Sequence, residues 1–169
     1  MAKHLLLIEE SAMTENTLTR RVVIGLMSTT ALGLTLGAHA ETPFAIKVWK
    51  DPNCGCCTGW VEHLGRNGFV MTVNDTAAMQ EVKVHLGVPS ELASCHTAEV
   101  GGYVIEGHVP VHAIKRLIAE KSSGRGLAVP GMPIGSPGME GGTPETYEVV
   151  LFGQKPSQSF GRYKGVQPV

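Results

Sequence analysis

Three of the four cysteines lie close together, in the segment Cys54-Gly55-Cys56-Cys57. Cys54 and Cys57 have the C-x-x-C spacing that is typical of thiol–disulfide exchange where a strand meets a helix. Cys56 argues against simple exchange chemistry, because a third thiol between the pair would compete in every step. Three thiolates in one loop favour a soft metal ion, since sulfur ligands select Cu(I), Zn(II) or iron–sulfur clusters.

A fourth cysteine and two methionines could extend this site. Cys95 would complete the four tetrahedral ligands that zinc prefers, whereas Cu(I) accepts fewer sulfurs and lets thiolates bridge several ions. Met132 and Met139 lie in a Gly- and Pro-rich string at 131–140, where no helical stripe accounts for their positions. Thioethers are soft ligands that favour Cu(I) over Zn(II). The alternatives are a buried, inert Cys95 and methionines that pack as flexible apolar caps.

Five histidines follow residue 40, and one of them is a candidate ligand. His96 directly follows Cys95, and imidazole is a common metal ligand. We interpret His108 as an ordinary residue of the turn at 106–110, because a lone histidine more often has a structural role. The other three are expected on helix surfaces: His63, His85 and His112.

The segments around these residues alternate between strands and helices. Strands are predicted at 45–49 and 69–73 and a hairpin at 94–105, with helices that begin near Cys57 or Thr58, near Asp75 or Thr76, and at Pro110. This order, with a cysteine motif at the first strand–helix junction, predicts a single α/β domain of the thioredoxin-like type. In such a domain the entry to the third strand packs beside the cysteine loop, so we expect Cys95 and His96 to lie near Cys54.

The C-terminal part of the chain has a different composition. A Gly- and Pro-rich loop is predicted at 122–145, followed by one added strand at 146–152. From Gly153 to the end at 169 the chain is polar, and we expect a loosely ordered tail. The predicted metal-binding domain therefore spans 41–152.

Residues 1–40 are typical of a secretory signal peptide. The basic pair Arg20-Arg21 precedes an uncharged run at 22–37, and Ala38-His39-Ala40 supplies the small residues that signal peptidase reads. The run is short and polar for a membrane span, and an N-terminal anchor is the alternative. Translation from Met13 would give a leader of ordinary length, and the arginine pair leaves twin-arginine export open beside Sec export.

Cleavage after Ala40 leaves a chain whose length suits one domain with a modest core. The leader holds as many acidic as basic residues, so the formal net charge stays at the −1 of the whole chain. Because basic runs interleaved with aromatic residues are absent, we expect no nucleic-acid partner. After cleavage we also expect no membrane attachment. Export places all four cysteines in an oxidising compartment, where disulfides can form.

Four segments also match the pattern of a known family: Asp51-Pro52-Asn53-Cys54-Gly55-Cys56-Cys57, Ser94-Cys95-His96-Thr97-Ala98, 102–110 and 131–140. Through them the chain resembles the CopG-like family of periplasmic copper-resistance proteins, whose members are often described only as a domain of unknown function. The resemblance spans nearly all of residues 45–152. It implies a thioredoxin-like fold, a periplasmic location and a copper site bridged by cysteines. It also implies a role in copper tolerance, with redox interconversion of bound copper.

These observations predict a periplasmic protein that buffers or hands on Cu(I), with zinc as the less favoured metal and more than one copper ion allowed. The predicted ligands are Cys54, Cys56, Cys57, Cys95, His96, Met132 and Met139. Predicted partners are copper ions and other periplasmic copper-handling or redox proteins. Whether the chain is an enzyme is left open, and the alternative function is a thiol–disulfide oxidoreductase that uses Cys54 and Cys57. A third interpretation is a structural zinc or disulfide module.

We expect export to remove residues 1–40, because the basic, apolar and small-residue segments occur in the order that signal peptidase requires. Mass spectrometry of protein recovered from the periplasm should find Glu41 at the N-terminus. A mature chain that begins at Met1 or Met13 would contradict this prediction.

Overall fold

The computed structural model describes residues 44–169. The predicted signal peptide and its cleavage site lie outside these residues. The described elements follow in this order: β1 (Phe44–Lys50), α1 (Gly55–Arg66), β2 (Phe69–Asp75), α2 (Met79–Leu86), a 3-10 helix (Ser90–Leu92), β3 (His96–Val100), β4 (Tyr103–Glu106), α3 (Val111–Glu120), β5 (Gly126–Ala128), β6 (Thr146–Phe152), β7 (Gln158–Lys164) and β8 (Gln167–Pro168). None of the helices in this range has the length and apolar character that crossing a bilayer requires.

All the described strands belong to one sheet, in the order β2-β1-β3-β4-β5-β6-β7-β8. β1 and β2 are parallel and are connected through α1. β3 pairs antiparallel with β1 and forms a hairpin with β4. The predicted mixed α/β domain is confirmed, and its element order is the one from which the sequence predicts a thioredoxin-like domain.

The two faces of the sheet carry separate apolar clusters. Side chains of α1 and α3, among them Trp60 and Ile114, belong to the larger cluster. Leu86 of α2 belongs to the smaller cluster. The neighbours Val104 and Ile105 fall in different clusters, as expected when successive strand residues point to opposite faces. Helix α2 therefore packs on the face of the sheet opposite α1 and α3.

The C-terminal segment is more ordered than the sequence predicts. The strand predicted at 146–152 is present as β6, but the expected loose tail contains β7, which pairs antiparallel with β6. In β7 only Tyr163 is buried, so the strand lacks the alternation of apolar residues by which strands are recognised. β5 lies within the loop predicted at 122–145, because a strand of three residues is too short to show a periodic pattern.

Candidate metal centre

The cysteine-rich segment lies where β1 leads into α1. A turn at Asp51 joins the two elements, since its carboxylate accepts the Asn53 N–H at 2.8 Å and its carbonyl accepts the Cys54 N–H at 3.1 Å. Cys54 immediately precedes the first helical residue, so Cys56 and Cys57 lie in the first turn. This turn has no acidic side chain. The free N–H groups give this end of the helix a partial positive charge.

The four cysteine sulfurs form one cluster. Cys54 and Cys57 are joined by a disulfide, and Cys56 and Cys95 are free. The Cys56 Sγ lies 3.4 Å from the Cys54 Sγ and 3.9 Å from the Cys95 Sγ. All four sulfurs lie within 4.8 Å of one another. The structure thus brings Cys95 to the cysteine loop despite its distance along the chain.

His108 joins this cluster through Cys95. Its Nε2 lies 3.1 Å from the Cys95 Sγ, and its Nδ1 lies 2.8 Å from the carbonyl oxygen of Pro137. A carbonyl can only accept a hydrogen bond, so Nδ1 carries the proton and Nε2 presents its lone pair to Cys95. Metal-binding histidines commonly donate their second ring N–H to a backbone carbonyl in this way.

His96 is fully buried beside the same sulfur. Its ring lies 4.3 Å from the Trp60 ring and 4.9 Å from the His108 ring, and its Nδ1 lies 3.9 Å from the Cys95 Sγ. Among the described residues, its Nε2 has no hydrogen-bond partner. A buried polar atom without a partner is costly, and a bound ion would compensate for it. Cys95, His96 and His108 form a second group of possible metal ligands.

Burial controls the protonation of this second group. The pKa of His96 is well below its usual value, first because the ring is buried and then because His108 and Lys83 lie nearby. Burial also lowers the pKa of His108. Both imidazoles are therefore neutral at neutral pH and able to donate a lone pair. Burial, followed by repulsion from Cys56, raises the pKa of Cys95 to about 11, so metal binding there must displace a proton.

The Gly- and Pro-rich segment at 131–140 covers the start of α1. Gly138 has a φ of +87°, and a Cβ there would lie 2.5 Å from the Cys56 carbonyl oxygen and 2.7 Å from the Trp60 nitrogen. At the other end of the segment, the Ser94 hydroxyl donates to the Gly131 carbonyl at 2.8 Å. The side chain of Met132 is 53% exposed, and that of Met139 is half-buried. Metal ligation by these methionines stays a prediction.

Of the predicted ligands, the structure brings together the four cysteines and His96. The sequence predicts a turn residue at His108, but in the structure its Nε2 lies 3.1 Å from the Cys95 Sγ. The available signal was its place in the family-like segment at 102–110. Its geometry depends on the carbonyl of Pro137, and sequence spacing does not reveal such a contact.

The remaining histidines lie apart from these groups. His85 and His112 are exposed, as expected. His63 is half-buried, and its Nε2 accepts the N–H of Val111 at 3.4 Å, at the first residue of α3. His63 therefore has a structural role, since it connects α1 to the first residue of α3.

A Gly138→Ala substitution should lift the segment away from α1. The new Cβ would clash with backbone atoms, in addition to a cost of about 1–3 kcal/mol for a non-glycine residue at positive φ. Gly131→Ala is the matched control, because Gly131 has a φ of +72° but no atom within 4 Å of a Cβ. We expect a lower unfolding temperature and faster alkylation of Cys95 in the first variant than in the control. Equal unfolding temperatures and equal alkylation rates in the two variants would contradict close packing of the segment on α1.

Comparison with known proteins finds one family model and two solved structures that match this chain. The family model "Protein of unknown function, DUF411" matches residues 92–139, which include Cys95, His96 and His108. A search of curated proteins finds no match. Two solved structures, titled copper resistance protein CopG form 2 and form 1, are each 45% identical to this chain and cover 72% of it. Their own chains are covered to 99% and 98%, with TM-scores of 0.68 and 0.67. On this identity and coverage, the chain belongs to the family of copper resistance protein CopG.

Proposed function

We propose that this chain is an exported copper-binding protein that buffers or hands on Cu(I) in copper tolerance. The observation that carries the proposal is the cluster of four cysteine sulfurs within 4.8 Å of one another. The solved relatives are titled copper resistance proteins, which supports copper as the metal. Its partners would be copper ions and the periplasmic copper-handling or redox proteins that deliver or accept them.

The donor set supports more than one ion. A structural zinc site is complete with four ligands, and the four cysteines alone would supply them. His96 and His108 add two nitrogen donors through the shared Cys95, which is more than one tetrahedral ion can use. Thiolates can bridge Cu(I) ions, so adjoining groups that share a sulfur fit a small copper cluster. His108 therefore joins the proposed ligands, which are Cys54, Cys56, Cys57, Cys95, His96, Met132 and Met139.

The redox state of the Cys54–Cys57 disulfide sets how many cysteine sulfurs are free to bind a metal. When Cys54 and Cys57 are bonded to each other, only Cys56 and Cys95 remain as free thiols. Reduction of the disulfide takes up two electrons and restores two thiolate ligands. Oxidation of two Cu(I) ions to Cu(II) would release the same number of electrons. We therefore include interconversion of copper oxidation states, coupled to this disulfide, in the proposed function.

A second candidate function is thiol–disulfide exchange with other proteins. The Cys54–Cys57 disulfide at the start of α1 favours it, as does the difference in exposure between the two sulfurs. Cys57 is fully buried, whereas Cys54 is partly exposed. A substrate thiol would therefore attack Cys54, because access decides which sulfur reacts.

The variant Cys56→Ser separates these two functions. It removes a sulfur from the centre of the cluster and leaves the Cys54–Cys57 pair intact. We expect weaker Cu(I) binding in competition with a chelator, with little effect on insulin reduction. Cys54→Ser is the control, since it should impair both activities. Brisk insulin reduction by the wild type, with unchanged copper binding by Cys56→Ser, would favour the oxidoreductase.

The methionines separate copper from zinc. A double variant Met132→Ala, Met139→Ala should lose Cu(I) affinity and keep Zn(II) affinity, because thioethers add to binding of the softer ion. Met79→Ala, on α2, controls for loss of a thioether elsewhere. Chelator competition gives the affinities, and X-ray absorption at the copper edge counts the sulfur neighbours. Unchanged Cu(I) affinity and an unchanged sulfur shell would make the segment a cover without ligands.

A further inference from the structure

A buried ion pair lies between α2 and the sheet. The Lys83 Nζ lies 2.6 Å from the Glu106 Oε1, and their side chains are 7% and 0% exposed. The Thr97 hydroxyl accepts from Lys83 at 2.9 Å and donates to the Glu106 Oε2 at 2.7 Å. Replacing a buried ion pair with apolar residues of similar size often leaves the stability of a protein unchanged or raises it. Stability alone therefore does not explain the pair.

The same carboxylate holds the chain just before Cys95. The Glu106 Oε1 also accepts the Ser94 N–H at 2.6 Å. Ser94 immediately precedes Cys95, and Glu106 lies two positions before His108. One side chain therefore connects the two backbone segments that carry Cys95 and His108.

Close packing reinforces this connection. Gly107, which lies between Glu106 and His108, has a φ of +71°, and a Cβ there would lie 2.7 Å from the Ser94 Cβ. Its N–H donates to the His96 carbonyl at 3.0 Å. The two segments therefore approach more closely than any residue with a Cβ would allow.

We infer that Glu106, neutralised by Lys83, is a positioning residue that holds the Cys95 sulfur against the Nε2 of His108. The hydrogen bond to Ser94 sets the position of Cys95, and the turn after Glu106 sets that of His108. Lys83 lets a full carboxylate remain buried near the cysteine cluster without adding net negative charge. The consequence for copper rests on the proposed function, whereas the effect on the geometry of Cys95 does not.

Two double variants isolate the hydrogen bond to Ser94 from the ion pair. Lys83→Met with Glu106→Gln, the glutamine variant, removes both charges but keeps an oxygen that can accept from Ser94. Lys83→Met with Glu106→Met, the methionine variant, removes both the charges and the acceptor. If the pair serves only to attach α2, both variants should behave alike. If Glu106 positions Cys95, the variant with glutamine at position 106 should keep the Cu(I) affinity and the slow Cys95 alkylation that the variant with methionine there loses.

For copper, we expect the methionine variant to bind Cu(I) about 10–100-fold more weakly than the glutamine variant, the range typical when an outer partner of a ligand is lost. The difference should vanish in a Cys95→Ser background, because the effect acts through that sulfur. Equal affinities in the two double variants would overturn the inference. A difference that persists without Cys95 would also overturn it, since the role would then be structural.

Alkylation of Cys95 in the metal-free protein tests the inference without copper. We expect faster alkylation in the methionine variant than in the glutamine variant, and equal rates would overturn the positioning role. If the wild type binds no Cu(I), the proposed function fails, while the alkylation rates still decide the inference.

If the methionine variant does not fold, Glu106→Asp replaces it, because aspartate keeps the charge but is too short to reach Ser94. Glu106→Asp should then alkylate faster than the wild type, and an unchanged rate would overturn the inference.

Discussion

In the antiparallel pairing of β1 with β3, Lys50 lies opposite His96. β1 ends at this pair and the chain turns towards α1, while β3 begins there directly after Cys95. The register therefore places Cys95 beside the cysteine loop. It also directs His96 to the face where Trp60 packs. A slip of one residue would send His96 to the opposite face, so the site depends on this register more than on any single contact within it.

Several of the close contacts around the site involve backbone atoms. Gly138 lies against the first turn of α1, and Gly107 lies against Ser94. The carbonyl of Pro137 selects the His108 tautomer, and the carbonyl of Gly131 accepts from Ser94. Backbone contacts hold donor atoms more rigidly than long side chains would. These contacts therefore fix the positions of Cys95 and His108 relative to the start of α1.

The disulfide and the candidate metal site share the sulfurs of Cys54 and Cys57. The bond between Cys54 and Cys57 ties up two of the four sulfurs, and its reduction would return both as free thiols beside Cys56 and Cys95. Cys95 is placed differently, since its environment favours the protonated thiol. The cluster therefore combines a disulfide-bonded pair with a half-buried thiol, Cys95, that keeps its proton at neutral pH.

The sequence by itself determined the chemical character of the site and the order of the first elements. Cysteine spacing placed three sulfurs where a strand meets a helix, and local apolar patterns predicted the helices and most of the strands. The approach of Cys95 to Cys54 followed from that element order.

Only the tertiary structure decided that His108 faces Cys95, that Glu106 holds Ser94, and that 158–164 forms a strand. The first two depend on partners far along the chain, the carbonyl of Pro137 and a lysine on α2, and the third depends on the edge of β6 that β7 pairs with. A local pattern reports which face of an element is apolar, but it carries no information about which distant backbone group will supply a hydrogen bond.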